Sequence, residues 1–169
     1  MKKIGVVLLS GGLDSTTVAT FAKFQGYELV AITVIYGQKH SKEVEAAKKI
    51  AEILRIKQEI IDVSPFKALA WYSALTNPEK FKVPKQREEE NIPITYVPLR
   101  NTFLITLAAA LLESEVLDLI ESKGIYPKDL EASLFIAANA IDYSGYPDCR
   151  PEYYEKVAQV LTFGSKIGT

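Results

Sequence analysis

Residues 10 to 15 read Ser-Gly-Gly-Leu-Asp-Ser, and they follow directly on the apolar run "IGVVLL". Gly11 and Gly12 let main-chain N–H groups come close to an anion, and Ser10 and Ser15 add hydroxyl donors. A helix starting after Leu13 would turn its positive end to the same place. Together these six residues describe a phosphate cradle. It is not the G-x-x-x-x-G-K-[ST] loop, because no lysine follows the glycines, and it is not G-x-G-x-x-G. Asp14 is the odd member, since a carboxylate repels a phosphate. A Mg²⁺ ion on Asp14 removes that conflict and neutralises the phosphates. The plainer alternative is a glycine-rich turn with helix-capping serines.

Other residues are suited to chemistry by type and place. Arg100 stands just before a long apolar helix, where its guanidinium can fork a phosphate or a carboxylate; a surface ion pair is the alternative. Asn101 either caps that helix or contacts a ligand. His40 is the only histidine, and in "KHSKE" it serves either acid–base work or a polar contact. In "DYSGYPDCRPE" (142–152), Tyr143, Tyr146 and Pro147 can stack on a flat ring, while Asp142, Asp148 and Arg150 can read its polar edge. A turn built on Gly145 and Pro147 explains the same stretch more plainly. Cys149 is the one cysteine, which excludes an intrachain disulfide and a zinc cluster built on cysteines. It reads as buried filler or a local contact.

The elements that must position these residues follow from periodicity. "IGVVLL" is short, branched and continuously apolar, as a strand covered on both faces should be. "STTVATFAKFQ" predicts a helix ending at Gly26, and "ELVAITVIY" a second strand. "KEVEAAKKIAEIL" predicts a helix capped by Ser41 with a Glu45–Lys49 pair on its surface. "KQEIIDV" predicts a third strand. Residues 64–93 hold four prolines and a charge cluster, and they predict short helical turns within an irregular excursion, which either covers a site or is a plain surface loop. A long helix over 101–124, capped by Asn101 or Thr102, a strand over 131–139 and a helix from Pro151 complete the chain. The alternation predicts a doubly wound, mainly parallel α/β sheet with helices on both faces, Rossmann-like, with its ligand crevice at the carboxyl ends of the strands.

Composition agrees. The chain has 169 residues, a formal net charge of −1, 48 % hydrophobic and 24 % charged residues. That suits one globular domain over 1–169, in a reducing cytoplasmic setting, without a basic field to draw nucleic acid. No stretch is long enough to span a membrane.

Ser10, Gly11, Gly12, Asp14 and Ser15 fill every fixed position of SGGxDS, so the loop resembles that of the N-type ATP pyrophosphatases, or PP-loop proteins. With "YGQKH" (36–40), "TYVPLRN" (95–101) and "NAIDYSGYPDCRPE" (139–152), the chain is similar to the QueC family of 7-cyano-7-deazaguanine synthases. The resemblance implies ATP held by Ser10 to Ser15, with Asp14, Arg100 and His40 as catalytic candidates. Asn101, Asp142, Tyr143, Tyr146, Asp148 and Arg150 are then the substrate-binding candidates. It implies a ligase that converts 7-carboxy-7-deazaguanine and ammonia to the nitrile, through an acyl-adenylate and an amide, for queuosine or archaeosine in tRNA. It also allows a homodimer. By analogy with other deazapurine enzymes, Cys149 acquires a second reading as a thioimide-type nucleophile.

Two departures from the family pattern carry expectations. Leu99 stands where the resemblance calls for glycine or alanine. The four-cysteine zinc site of the family lies beyond "RPE", and its ligands are absent here, so the chain is expected to bind ATP but to be weakly active as a synthase. A truncated or degenerate ATP-binding module is therefore one alternative. A tRNA-thiolating PP-loop enzyme is another, disfavoured because such enzymes use paired cysteines or an iron–sulfur cluster.

Overall fold

The structure is a computed structural model that describes residues 1–36, 41–83, 92–138 and 145–168. The described residues form a sheet of four parallel strands in the order β3-β2-β1-β4. β1 is Lys2–Leu8, β2 Glu28–Ile35, β3 Lys57–Asp62 and β4 Leu130–Phe135. Helices α1 (Leu13–Phe24) and α2 (Ser41–Leu54) connect the first three strands. The excursion contains one short helix, α3 (Phe66–Leu69), among turns. α4 spans Arg100–Leu117 and passes into one π-helical turn, Asp118–Ser122. α5 spans Pro151–Gly164 with Pro151 in its first turn, as expected.

The continuous apolar runs of β1 and β2 are explained by cover on both faces. Ile4 and Val6 of β1 and Val30 and Ile32 of β2 pack under Ala108, Leu112 and Val116 of α4. Val7, next along β1, with Ala31 of β2, points the other way, into a layer with Ala19 of α1 and Ala47 and Ala51 of α2. Small residues on the second face let α1 and α2 approach the sheet closely.

The chain winds outward from β1 through β2 to β3, then returns to place β4 on the other side of β1. Val6 pairs with Val30 on one side and with Leu134 on the other. The connections leaving β1 and β4 therefore diverge, and a crevice opens between them at the carboxyl edge.

Three local expectations need correction. The α4 N-cap is neither Asn101 nor Thr102; it is Leu99, in the left-handed region (φ 54°), and it makes no side-chain cap bond. The ion pair on α2 joins Glu45 to Lys48, at 2.9 Å, rather than to Lys49. The last strand ends at Phe135, short of residue 139. By contrast, the chain leaves the α4 region at Gly124, with φ +67°, as the sequence predicts.

Candidate functional site

The crevice holds a cavity of about 560 Å³. Its floor is the end of β1 and the loop Ser10–Ser15. Its walls come from Tyr36 and the first turns of α2 on one side, and from Arg100, Asn101 and Leu104 of α4 on the other. Tyr154 of α5 and Ile136 close it.

The loop is held from below. The N–H of Leu9 donates to Ile32 O at 2.9 Å, and the buried Thr33 hydroxyl donates to Leu9 O at 2.7 Å. Gln58 Nε2 donates in turn to Thr33 Oγ1 at 2.8 Å. β2 directly, and β3 through Gln58, thus fix the point where the chain leaves the sheet.

Within the loop the serines shape the backbone. Ser15 Oγ donates to Gly12 O (3.1 Å) and accepts the N–H of Ser10 (3.3 Å). The two serine hydroxyls lie 3.1 Å apart, and Ser10 Oγ accepts the N–H of Gly12 at 3.3 Å. The Ser15 hydroxyl thus spends its proton on Gly12 O, and both serine oxygens hold the loop backbone in shape. Backbone amides supply further donors. Gly12 caps α1 with no side-chain cap bond, so the first turn of α1 presents its N–H groups and its positive end to the cavity.

Gly11 is required here. Its φ is +85°, and a Cβ would stand 2.6 Å from Glu43 O and 2.7 Å from Ala47 N. The loop and the start of α2 are in backbone-to-backbone contact, and no side chain fits between them.

Among the described residues, four charged side chains line the cavity: Asp14, Lys42, Glu43 and Arg100. Asp14 is exposed in the first turn of α1 and accepts no hydrogen bond among the described residues. Arg100 is half-buried; its Nε donates to Asn101 Oδ1 at 3.2 Å, and no described carboxylate pairs with it. A cation with no ion-pair partner among the described residues thus lines the same cavity as an uncapped helix end, which is an arrangement for an anion.

The remaining predicted residues divide. Asn101 lines the cavity, but its Nδ2 donates to Asp148 O (3.1 Å) and to Cys149 Sγ (3.4 Å). Cys149 is thus a local contact. Tyr146, Asp148 and Arg150 do not line the cavity. Asp148 is only 5 % exposed, and its Oδ2 accepts the backbone N–H of Asn101 at 3.3 Å. In this structure that carboxylate closes a helix end. The Tyr146 hydroxyl lies 2.7 Å from Thr95 Oγ1, and Arg150 is the exposed N-cap of α5. His40, Asp142 and Tyr143 lie outside the described residues.

Sequence reasoning missed Tyr154 and Lys42 as cavity residues, whereas Tyr36 belongs to the "YGQKH" stretch already singled out. Burial pushes the Tyr154 phenol above the usual tyrosine range, and the nearby Cys149 and Asp148 act in the same direction. It stands as a neutral donor. Running a helical wheel from Pro151 would have placed Tyr154 on the inward face with its neighbour Tyr153, whose hydroxyl lies 2.8 Å from that of Thr102.

A parallel α/β sheet with an SGGxDS loop at its switch point defines a Rossmann-like protein of the PP-loop class. Residues 4–168 match the family described as "Queuosine biosynthesis protein QueC", and the chain belongs to that family. It is 46 % identical over 166 residues to a protein of Ralstonia nicotianae named 7-cyano-7-deazaguanine synthase; the match covers 96 % of this chain and 66 % of that one. A protein of the same name from Thermoplasma acidophilum is 45 % identical over 170 residues, covering 99 % of this chain and 64 % of that one. The chain thus spans somewhat less than two thirds of the length of these relatives. Among solved structures, the U34-tRNA thiolase NcsA from Methanococcus maripaludis aligns with a TM-score of 0.43 at 16 % identity, over 99 % of this chain and 60 % of that one.

Proposed function

We propose that the chain carries the ATP site of a 7-cyano-7-deazaguanine synthase working in the cytoplasm. The observation that carries this reading is the uncapped start of α1 facing Arg100 across a cavity of about 560 Å³. The names of the relatives supply the reaction.

In that reaction the carboxylate oxygen of 7-carboxy-7-deazaguanine attacks the α-phosphorus of ATP, and pyrophosphate leaves. Ammonia then displaces AMP at the acyl carbon, giving the amide. A second ATP adenylates the amide oxygen, again releasing pyrophosphate. Loss of AMP and a proton leaves the nitrile. In both adenylations charge builds on the departing pyrophosphate, and the α1 amides with Arg100 are placed to stabilise it.

Asp14 and Glu43 offer hard oxygen ligands at the cavity, which suits Mg²⁺. Asp14 would hold the ion, and the ion would neutralise the polyphosphate. Tyr154, as a neutral phenol, donates a hydrogen bond without adding charge beside the phosphates. The substrate ring is assigned to the stretch of sequence that follows β4, with Asp142 and Tyr143; His40 is assigned to the nucleotide or ammonia side. Family kinship allows a homodimer.

The test is to incubate the chain with ATP, Mg²⁺, ammonium and 7-carboxy-7-deazaguanine and to follow AMP and nitrile by mass spectrometry. ATP binding with AMP release is expected. A chain that fails to bind ATP at millimolar concentration would sink the reading.

A further inference from the structure

Asp148 is a buried carboxylate, and no described residue forms an ion pair with it. Burying a charge without compensation is costly. Its compensation is the start of α4, which its own N-cap, Leu99, leaves open. Asp148 Oδ2 accepts the N–H of Asn101 (3.3 Å), and the Asp148 carbonyl accepts Asn101 Nδ2 (3.1 Å). Residue 148 thus grips Asn101 twice: its carboxylate holds the Asn101 main chain, where a substitution acts, and its main-chain carbonyl holds the Asn101 side chain.

That grip leads into the cavity. The remaining polar atom of the Asn101 side chain, Oδ1, accepts Arg100 Nε at 3.2 Å. The connection runs from Asp148 through Asn101 to the guanidinium facing the phosphate loop. Two further contacts join the same segments, Thr102 to Tyr153 (2.8 Å) and Thr95 to Tyr146 (2.7 Å). These bypass Arg100.

We infer that Asp148 is a positioning residue, which holds Asn101 so that Arg100 is aimed at the ATP phosphates. The inference rests on the ATP-site reading above. A merely structural Asp148 would affect folding and leave Arg100 with the same contribution to binding. A positioning Asp148 loses its effect on ATP once Arg100 is gone.

The experiment is a double-mutant cycle read by ATP affinity, using the parent chain, Asp148→Ala, Arg100→Ala and the double variant, with Asp148→Asn and Tyr153→Phe beside them. Asp148→Ala is expected to weaken ATP binding about tenfold in the parent, the scale of a charge-assisted hydrogen bond, and less than about twofold beside Arg100→Ala. Asp148→Asn keeps an acceptor and should recover part of the affinity. Tyr153→Phe should lower the melting temperature with little change in ATP affinity. Equal losses in both backgrounds overturn the inference, as do alanine and asparagine variants that both fail to fold. A parent chain that binds no ATP removes the ATP-site reading itself, and the inference with it.

Discussion

Gly11 and Glu43 meet backbone to backbone: a Cβ on Gly11 would lie 2.6 Å from the Glu43 carbonyl oxygen. This contact sets the distance between the phosphate loop and α2. Gly11→Ala adds a clash that only main-chain movement can relieve, at a left-handed φ of +85°. A destabilisation of roughly 2–4 kcal/mol is expected from strain and overpacking together. Urea unfolding measures it. A loss below about 0.5 kcal/mol, the range of an ordinary surface change, would show that the loop and α2 are not in contact.

Asp14 contributes no described hydrogen bond to the fold and sits in the first turn of α1. Asp14→Asn should cost stability by no more than about 1 kcal/mol, the scale of a lost charge at a helix N-terminus. Mg²⁺-dependent AMP release should fall by about a hundredfold or more if the carboxylate holds the ion. Unchanged AMP release at every Mg²⁺ concentration would remove Asp14 from the metal site.

Leu99 is 64 % exposed and held at φ 54°. A left-handed leucine costs about 1–2 kcal/mol, and glycine gives back about 0.5–1 through its freer unfolded chain. Leu99→Gly should therefore raise stability by roughly 0.5–1 kcal/mol in thermal or urea unfolding. A lower stability would mean that the leucine side chain packs in a way its exposure does not suggest.

The raised Tyr154 phenol makes a pH prediction. In the folded chain it keeps its proton at a pH where the unfolded chain, at about pH 10, has lost it. The unfolded state then binds fewer protons, so stability is intact below about pH 10 and falls as the pH rises further. Tyr153 is raised by burial as well. Tyr154→Phe should flatten that alkaline decline relative to the parent. Parallel pH profiles for the two chains would show that the phenol is not shielded.

The fold was legible where local pattern and tertiary cover agree. The branched run ending at Leu9 and the small-residue face of α2 both announce a strand or helix packed on a parallel sheet. The phosphate loop was legible because its signature lies in six consecutive residues. The start of α4 was not legible. Local rules assign its cap to Asn101 or Thr102, whereas Asp148, distant in sequence, does the work and Leu99 takes a conformation its side chain disfavours. The second task of the serines was hidden for a related reason: their types suggest donors to a ligand, and only geometry reveals that their oxygens also brace the loop. Leu99 did carry a hint, because glycine, one of the two residues that the resemblance calls for there, is suited to a left-handed backbone.

The register that pairs Lys2 with Leu130 has a consequence for the order of assembly. β1, β2 and β3 with their two helices are contiguous in the first 62 residues, and the phosphate loop lies wholly among them. β4 must find β1 across the whole excursion and α4, a closure whose entropy is unfavourable and whose search is slow. During synthesis from the N-terminus, the anion cradle is expected to take shape before the arginine that faces it has arrived. A nascent chain would then hold half a site, able to attract polyphosphate while unable to act on it. Pulsed hydrogen exchange during refolding tests this order: amides of β2 and β3 should gain protection ahead of those of β4, and simultaneous protection would show that the sheet closes in one step.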